Sequence, residues 1–279
     1  MTSILVNFRI IKIANNLLLI FQMLKKITLI GSGNVAYNLG HALIGKGFEI
    51  VEVYSRTIKN AKQLAEKLTA NYTSDLSKLN VISDLYVIAS RDDAIEKIAE
   101  QLNLENKLIV HTSGSVGIEI LQKASINYGS FYPLQTFTKS HLADVSQIPF
   151  CIEGNTEENK HNLIELANKL SNNVIEIDSV QRQKLHLAAV FTSNFANYMQ
   201  VIAQDVCEEQ EVDFDLLKPL IKEVYEKNSR SKAENNQTGP AKREDEFTMQ
   251  KHLDLLKNDK EKQELYSLIS SMITKRFKK

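Results

Sequence analysis

The run Leu29-Ile30-Gly31-Ser32-Gly33-Asn34-Val35-Ala36 sets a glycine-rich loop directly after a short apolar segment and directly before a run with helical spacing. A buried strand that ends in a glycine turn and feeds a helix is the opening unit of a dinucleotide-binding domain. Gly31 permits the sharp strand-to-helix turn. Gly33 lacks a Cβ, so backbone can approach a pyrophosphate, and the small Ala36 lets the helix pack on the strand. The helix N-terminus then presents unpaired N–H groups and partial positive charge to phosphates. Together with Ser32, Asn34 and Val35, these glycines are the expected phosphate cradle. A glycine turn in a nucleotide-free α/β domain is the competing reading, and the flanking strand and helix weigh against it.

The rest of the chain repeats the alternation. Strands are expected at Ile27–Ile30, Phe48–Tyr54, Leu85–Ala89 and Leu108–His111, with helical spacing at Val35, Leu39 and Leu43, at Ala61, Leu64, Ala65 and Leu68, and at Ile95 and Ile98. Short connections between such units argue for a parallel, doubly wound sheet. Five of the ten glycines lie between Gly31 and Gly47, and no proline precedes Pro133. Further strand candidates are Ile148–Ile152 and Val174–Ile177, with a helical stretch from Glu157 to Leu170. From about Asp178 the character changes. Long helices are expected at Gln181–Glu209, Phe214–Lys227 and Lys260–Phe277, with a polar loop over Asn228–Glu246. The expected fold class is therefore α/β: a Rossmann-type, mostly parallel sheet over residues 24–178, followed by an all-helical substrate or dimerisation domain over residues 179–279.

The first 23 residues stand apart. Ile4 to Leu24 is apolar but interrupted by Asn7, Arg9, Lys12, Asn15, Asn16 and Gln22, which is too polar for a membrane span. Met23 sits directly before the first strand, so residues 1–22 read as an upstream extension from a start codon placed too early; an amphipathic targeting or membrane-surface helix is the alternative. The 34 basic and 34 acidic side chains cancel, so no global attraction to nucleic acid or an anionic membrane is expected. Cys151 and Cys207 form no CxxC pair, and His41, His111, His141, His161, His186 and His252 show no metal-ligand spacing. No metal is expected, and a cytoplasmic setting is the default.

Cofactor choice is set at the end of the second strand. There an NAD site wants an acidic residue for the ribose hydroxyls, but the chain has Tyr54-Ser55-Arg56-Thr57. Ser55, Arg56 and Thr57 suit the extra 2′-phosphate, so NADP is expected over NAD. Glu52 is the rival, two residues short of the strand end. Ala89 and Ser90, at the end of the Leu85–Ala89 strand, are expected to line the cleft.

With these residues in hand, the chain resembles the Rossmann-like NADP oxidoreductases related to pyrroline-5-carboxylate reductase and the deazaflavin-dependent NADP reductases. It is most similar to a bacterial branch of them whose C-terminal domain has no assigned function. The matching features are Ile30–Ala36, Tyr54-Ser55-Arg56, Ala89 to Asp93, His111-Thr112-Ser113-Gly114-Ser115, Tyr132-Pro133-Leu134-Gln135-Thr136-Phe137, His186 to Asn194, and Thr238-Gly239-Pro240 with Arg243 and Asp245. The resemblance implies an NADP-linked reductase and supplies no substrate.

Ligands of open α/β sheets bind beyond the carboxyl ends of the strands. Ser113 falls there and is a catalytic candidate, or a helix cap for Val116–Leu121. Tyr132–Phe137 reads as a rim or as a bend between sheet segments. On the long helix, His186, Ser193 and Asn194 form a polar stripe among apolar neighbours. His186 could donate a proton opposite the hydride acceptor, with Ser193 or Asn194 holding a carbonyl or imine; a satisfied inter-helix network is the alternative. Arg243, with Gly239, could clamp a substrate carboxylate, or Arg243 and Asp245 could cap the following helix. The chemistry expected is hydride transfer between NADPH and a small, carboxylated carbonyl or imine in a homodimer. The competing reading is a non-catalytic NADP-binding or sensor protein.

Overall fold

In the computed structural model, residues 24–278 are described; the N-terminal extension read from the sequence lies outside the described residues. Eight strands form one sheet: β1 (Lys26–Ile30), β2 (Glu49–Tyr54), β3 (Asn71–Thr73), β4 (Leu85–Ile88), β5 (Leu108–His111), β6 (Asn127–Pro133), β7 (Phe150–Gly154) and β8 (Val174–Glu176). Their order is β3-β2-β1-β4-β5-β6-β7-β8, and every neighbouring pair is parallel except β6 with β7. Helices α1 (Asn34–Gly45), α2 (Ile58–Leu68), α3 (Asp92–Ala99) and α4 (Glu157–Leu170) belong to this layer structure.

Strand periodicity explains why both faces are covered. Side chains alternate across a strand, so a central strand of a doubly wound sheet is apolar at every position. Leu29, Val53, Val87 and Val110 pack into one core, whereas their neighbours Ile30, Tyr54, Ile88 and Ile109 pack into the other. Burying each such side chain contributes about 1.5–3 kcal/mol.

Several expectations are corrected. Tyr132 and Pro133, the start of the segment read as a rim or a bend, are the end of strand β6. Val116–Leu121 contains only a 3-10 turn, Ile118–Leu121. The long helix from Gln181 is continuous but changes its winding: α5 (Ser179–Ala189) leads through a π-helical turn, Val190–Phe195, into α6 (Ala196–Glu208). The polar stretch from Asn228 carries the end of α7 (Lys218–Arg230), a single helical turn α8 (Ala233–Asn236) and a 3-10 turn at Ala241–Arg243, before α9 (Glu246–Leu255) and α10 (Lys260–Phe277).

Two compact units divide at Ser193/Asn194. The first holds the sheet and, beyond the change of composition at Asp178, helix α5. The second is a set of helices in which, among the described residues, only Ala241 is buried. No helix of the described residues is long and apolar enough to cross a membrane.

One face of the sheet's β5–β7 portion is polar. His111 pairs with Ser130 and Ser130 with Glu153, all beneath Arg182 of α5, which is wholly buried. The Ser113 N–H donates to His111 Nδ1 at 3.2 Å, which leaves Nε2 as the protonated nitrogen of a neutral ring. Burial, followed by the Arg182 charge, pushes the His111 pKa down to about 4. An unfolded histidine titrates near 6.5, so the unfolded chain takes up this proton first. His111 therefore contributes stability above about pH 6.5 that is lost as the pH falls toward 4, on the order of 3 kcal/mol in full. Urea unfolding at pH 7 and pH 5 should show a loss of roughly 2 kcal/mol in the wild type and less than half of that in His111→Gln. Equal losses in both would remove His111 as the cause.

Candidate active site

Where β1, β4, β5 and β6 end, a cleft of about 550 Å³ opens within the first unit. The glycine loop forms one wall. Gly31 has φ +132°, and a Cβ there would lie 2.1 Å from the Ala89 carbonyl oxygen, so no side chain fits. Its N–H donates to the Tyr54 carbonyl at 2.8 Å, which ties the loop to the end of β2. Gly33 precedes the first turn of α1, where no side chain caps the helix and no acidic residue stands. A Cβ on Gly33 would meet nothing within 4 Å. The N–H groups of that turn thus face an open cradle, as a dinucleotide phosphate requires.

The segment after β6 crosses in front of this loop. Asn34 Nδ2 donates to the Phe137 carbonyl (2.9 Å), Asn38 Nδ2 to the Thr138 carbonyl (2.8 Å), and Lys139 Nζ to the Ser32 carbonyl (2.8 Å). The Asn34 side chain therefore holds protein, and its backbone is what remains for a ligand. At the near end of the cleft stand Ser55, Arg56, Thr57 and Asn60, with Ser32 Oγ donating to Ser55 Oγ at 2.9 Å. Arg56 is exposed and forms no ion pair among the described residues. Glu52, the rival ribose ligand, is buried and accepts the Asn80 N–H at 2.8 Å, outside the cleft lining. Its carboxylate is committed to a turn.

The far end is lined by Ala89, Ser90, Thr112, Ser113, Gly114, Tyr132 and His186. Ser113 is nearly buried, and its Oγ accepts the N–H groups of Ser115 and Val116, each at 3.1 Å. It thus caps the turn while lining the cleft. Tyr132, on the last turn of sheet before Pro133, reaches His186 on α5: the phenol oxygen is 3.0 Å from Nδ1, and the rings meet edge-on at 5.9 Å. Burial, then nearby Cys151 and Asp92, push the Tyr132 hydroxyl up to about 12, so it is a neutral phenol throughout the working range. A Cβ on Gly114 would lie 2.6 Å from His186 Cγ, so the loop backbone presses against the imidazole.

Of the predicted stripe, His186 alone lines this cleft. The π turn adds residues per turn and breaks the 3.6-residue spacing that aligned Ser193 with His186. Asn194, Gly239 and Arg243 belong to the second unit. There Gly239 lines an apolar cavity of about 480 Å³ with Met199, Leu256 and Ile269. Arg243 is exposed, and Asp245 caps α9 by accepting the Thr248 N–H at 3.0 Å. Asn60 and Arg182 were not singled out from the sequence, and Tyr132 and Gly114 entered only as members of the Tyr132–Phe137 and His111–Ser115 segments; the polar pairing of a strand tyrosine with a helix histidine carries no local sequence signal.

Comparison with known proteins agrees with this fold. Residues 26–114 match the family described as NADP oxidoreductase, coenzyme F420-dependent, and residues 148–273 match a domain of unknown function, DUF2520. A candidate NADP oxidoreductase from Bacteroides fragilis is 41% identical, with a TM-score of 0.85 over 90% of this chain and 98% of its own. An imine reductase from Myxococcus stipitatus, solved with NADP+, shares the fold at 14% identity (TM-score 0.65, covering 90% of this chain and 93% of that one). A pyrroline-5-carboxylate reductase from Coxiella burnetii does so at 19% (TM-score 0.54, covering 92% and 98%). Among curated proteins, glutamyl-tRNA reductase from Saccharolobus islandicus is 33% identical over 84 residues, 30% of this chain, and the match spans only 18% of that enzyme's length. The chain belongs to the NADP oxidoreductases that join a Rossmann-type dinucleotide-binding domain to a DUF2520 C-terminal domain.

Proposed function

We propose that the chain is an NADPH-dependent reductase of a small carbonyl or imine substrate bearing a carboxylate. The observation that carries this reading is the Tyr132–His186 hydrogen bond at the far end of a cleft whose near end holds Arg56. The glycine loop and the uncapped first turn of α1 would hold the diphosphate, with Ser55, Arg56, Thr57 and Asn60 around the 2′-phosphate. A guanidinium without a carboxylate partner among the described residues, together with a Glu52 that is already engaged, supports NADP over NAD.

When bound, the cofactor supplies hydride to the electrophilic carbon. The chain's task is then to deliver a proton to the oxygen or nitrogen that gains electron density. The dyad can do this in two tautomeric arrangements. In one, the Tyr132 hydroxyl donates to Nδ1 and the imidazole presents Nε2–H to the cleft. In the other, Nδ1–H donates to the phenol oxygen and frees the phenol proton. Ser113 and its neighbouring backbone line the same end.

The second unit is proposed to associate with a second copy of the chain. A helical unit must bury one apolar stripe against another layer. Here Leu216, Phe247, Leu255 and Met272 are 71%, 72%, 81% and 62% exposed, and Ala241 alone is buried among the described residues. Light scattering should give a particle of twice the 31.6 kDa chain mass. A monomer at micromolar concentration contradicts the homodimer.

The reductase reading is tested by NADPH oxidation across keto acids and cyclic imines, with NADPH and NADH affinities measured for Arg56→Asp. Turnover of at least one substrate is expected, and a loss of NADPH affinity of about 10- to 100-fold with little change for NADH. Tight NADPH binding with no turnover favours the sensor reading. An unaltered NADPH affinity in Arg56→Asp removes the residue from the 2′-phosphate site.

A further inference from the structure

Strand alternation places Ser130 and Tyr132 on the same face of β6. Antiparallel pairing sets Glu153 beside Ser130 and Cys151 beside Tyr132, and parallel pairing sets His111 beside Ser130. That face therefore carries two rows: His111, Ser130 and Glu153 deeper in the sheet, and Tyr132 with Cys151 one step nearer the cleft. On α5, Arg182 and His186 stand one turn apart and share a helix face. Arg182 meets the deeper row and His186 the outer one.

The contacts of Arg182 are dense. Its guanidinium donates to the Glu153 carboxylate, to the Val116 carbonyl at 2.6 Å and to Ser179 Oγ at 3.0 Å. Glu153 also accepts the Ser179 N–H (3.0 Å) and hydroxyl (2.7 Å). The layer is nevertheless incompletely satisfied: Arg182 Nε, His111 Nε2 and Ser130 Oγ have no hydrogen-bond partner among the described residues. Well-packed apolar side chains commonly hold a helix on a sheet as firmly as a buried ion pair. Stability is thus a weak reason for this layer, whereas direction is a strong one. The planar guanidinium has a fixed donor geometry, and it fixes both the rotation of α5 and the Val116 end of the loop that carries Gly114.

We propose that the pair of buried Arg182 and partly buried Glu153 is a positioning device that sets His186 Nδ1 on the Tyr132 hydroxyl. Arg182 is not among the residues lining the cleft, and its side-chain hydrogen bonds go to Glu153, Val116 and Ser179; its charge also favours the ionised Tyr132 hydroxyl, and it acts one helical turn from His186 through the register of α5 on β6 and β7. Its value to catalysis rests on the reading of Tyr132 and His186 as the proton-donating pair, and its structural role does not.

The test replaces the pair by apolar groups, Arg182→Met with Glu153→Leu, in the full-length protein. The His186 ring nitrogens are observed by NMR with selectively labelled histidine, and kcat and KM are measured alongside. The expected result is a folded protein with unchanged NADPH affinity, a His186 Nδ1 resonance that loses its hydrogen-bonded shift, and a kcat lowered about tenfold or more at similar KM. Adding Tyr132→Phe to that background should cost much less than it does in the wild type, because the two changes remove one interaction. An unchanged Nδ1 resonance overturns the proposal. A displaced resonance with undiminished kcat upholds the positioning and instead defeats the proton-donor reading of the dyad. Should the double variant fail to fold, Arg182→Lys keeps the charge, loses the fork and gives the same ring-nitrogen readout.

Discussion

The backbone of Gly31 lies so close to the carbonyl of Ala89 that a single added carbon atom would overlap it. This approach of the β1 and β4 ends is the constraint around which the cleft is arranged. It allows the chain to leave β1 in a sharp turn and start α1 with its first N–H groups uncovered. The same turn draws the loop onto the end of β2, through Gly31 N–H and Ser32 Oγ. The phosphate cradle and the Ser55–Asn60 corner thereby belong to one rigid piece, and the spacing between them follows from the sheet.

The reacting end has a different origin. It depends on the one antiparallel step of the sheet, where β7 reverses against β6. That reversal brings Glu153 beside Ser130 and lets α5 return across the polar face. A buried cation over a partly buried carboxylate then governs where the next turn of α5 falls. The geometry that serves the cofactor is thus carried by glycine, through the absence of side chains. The geometry that serves proton transfer is carried by charge, through hydrogen bonds around the buried Arg182 guanidinium.

Much of the first part was legible in the sequence, and the reason is locality. The glycine loop, its strand and its helix are contiguous, as is the Ser55-Arg56-Thr57 corner, so short-range rules suffice. The second part was not. Strand β6 reads Asn-Tyr-Gly-Ser-Phe-Tyr-Pro, with a glycine inside and a proline at its end, and these punctuation residues disguise a strand as a bend. Its tyrosine was therefore read as part of a rim or of a bend. Arg182 lies in the polar run Ser179-Val180-Gln181-Arg182-Gln183-Lys184, which looks like a solvated helix start, although the residue is fully buried. Its partner Glu153 is 29 residues away, beyond the reach of any local pattern. The stripe from His186 to Asn194 was drawn at regular helical spacing, and the π turn at Val190–Phe195 invalidates that ruler.

The central claim is that the nicotinamide end of the bound nucleotide meets the Tyr132–His186 pair. Isotope-filtered nuclear Overhauser spectra of the protein saturated with NADP+ test it without a substrate. Contacts from the nicotinamide ring protons to the ring protons of Tyr132 or His186 are predicted. Saturating binding with no contact to either ring would contradict the account.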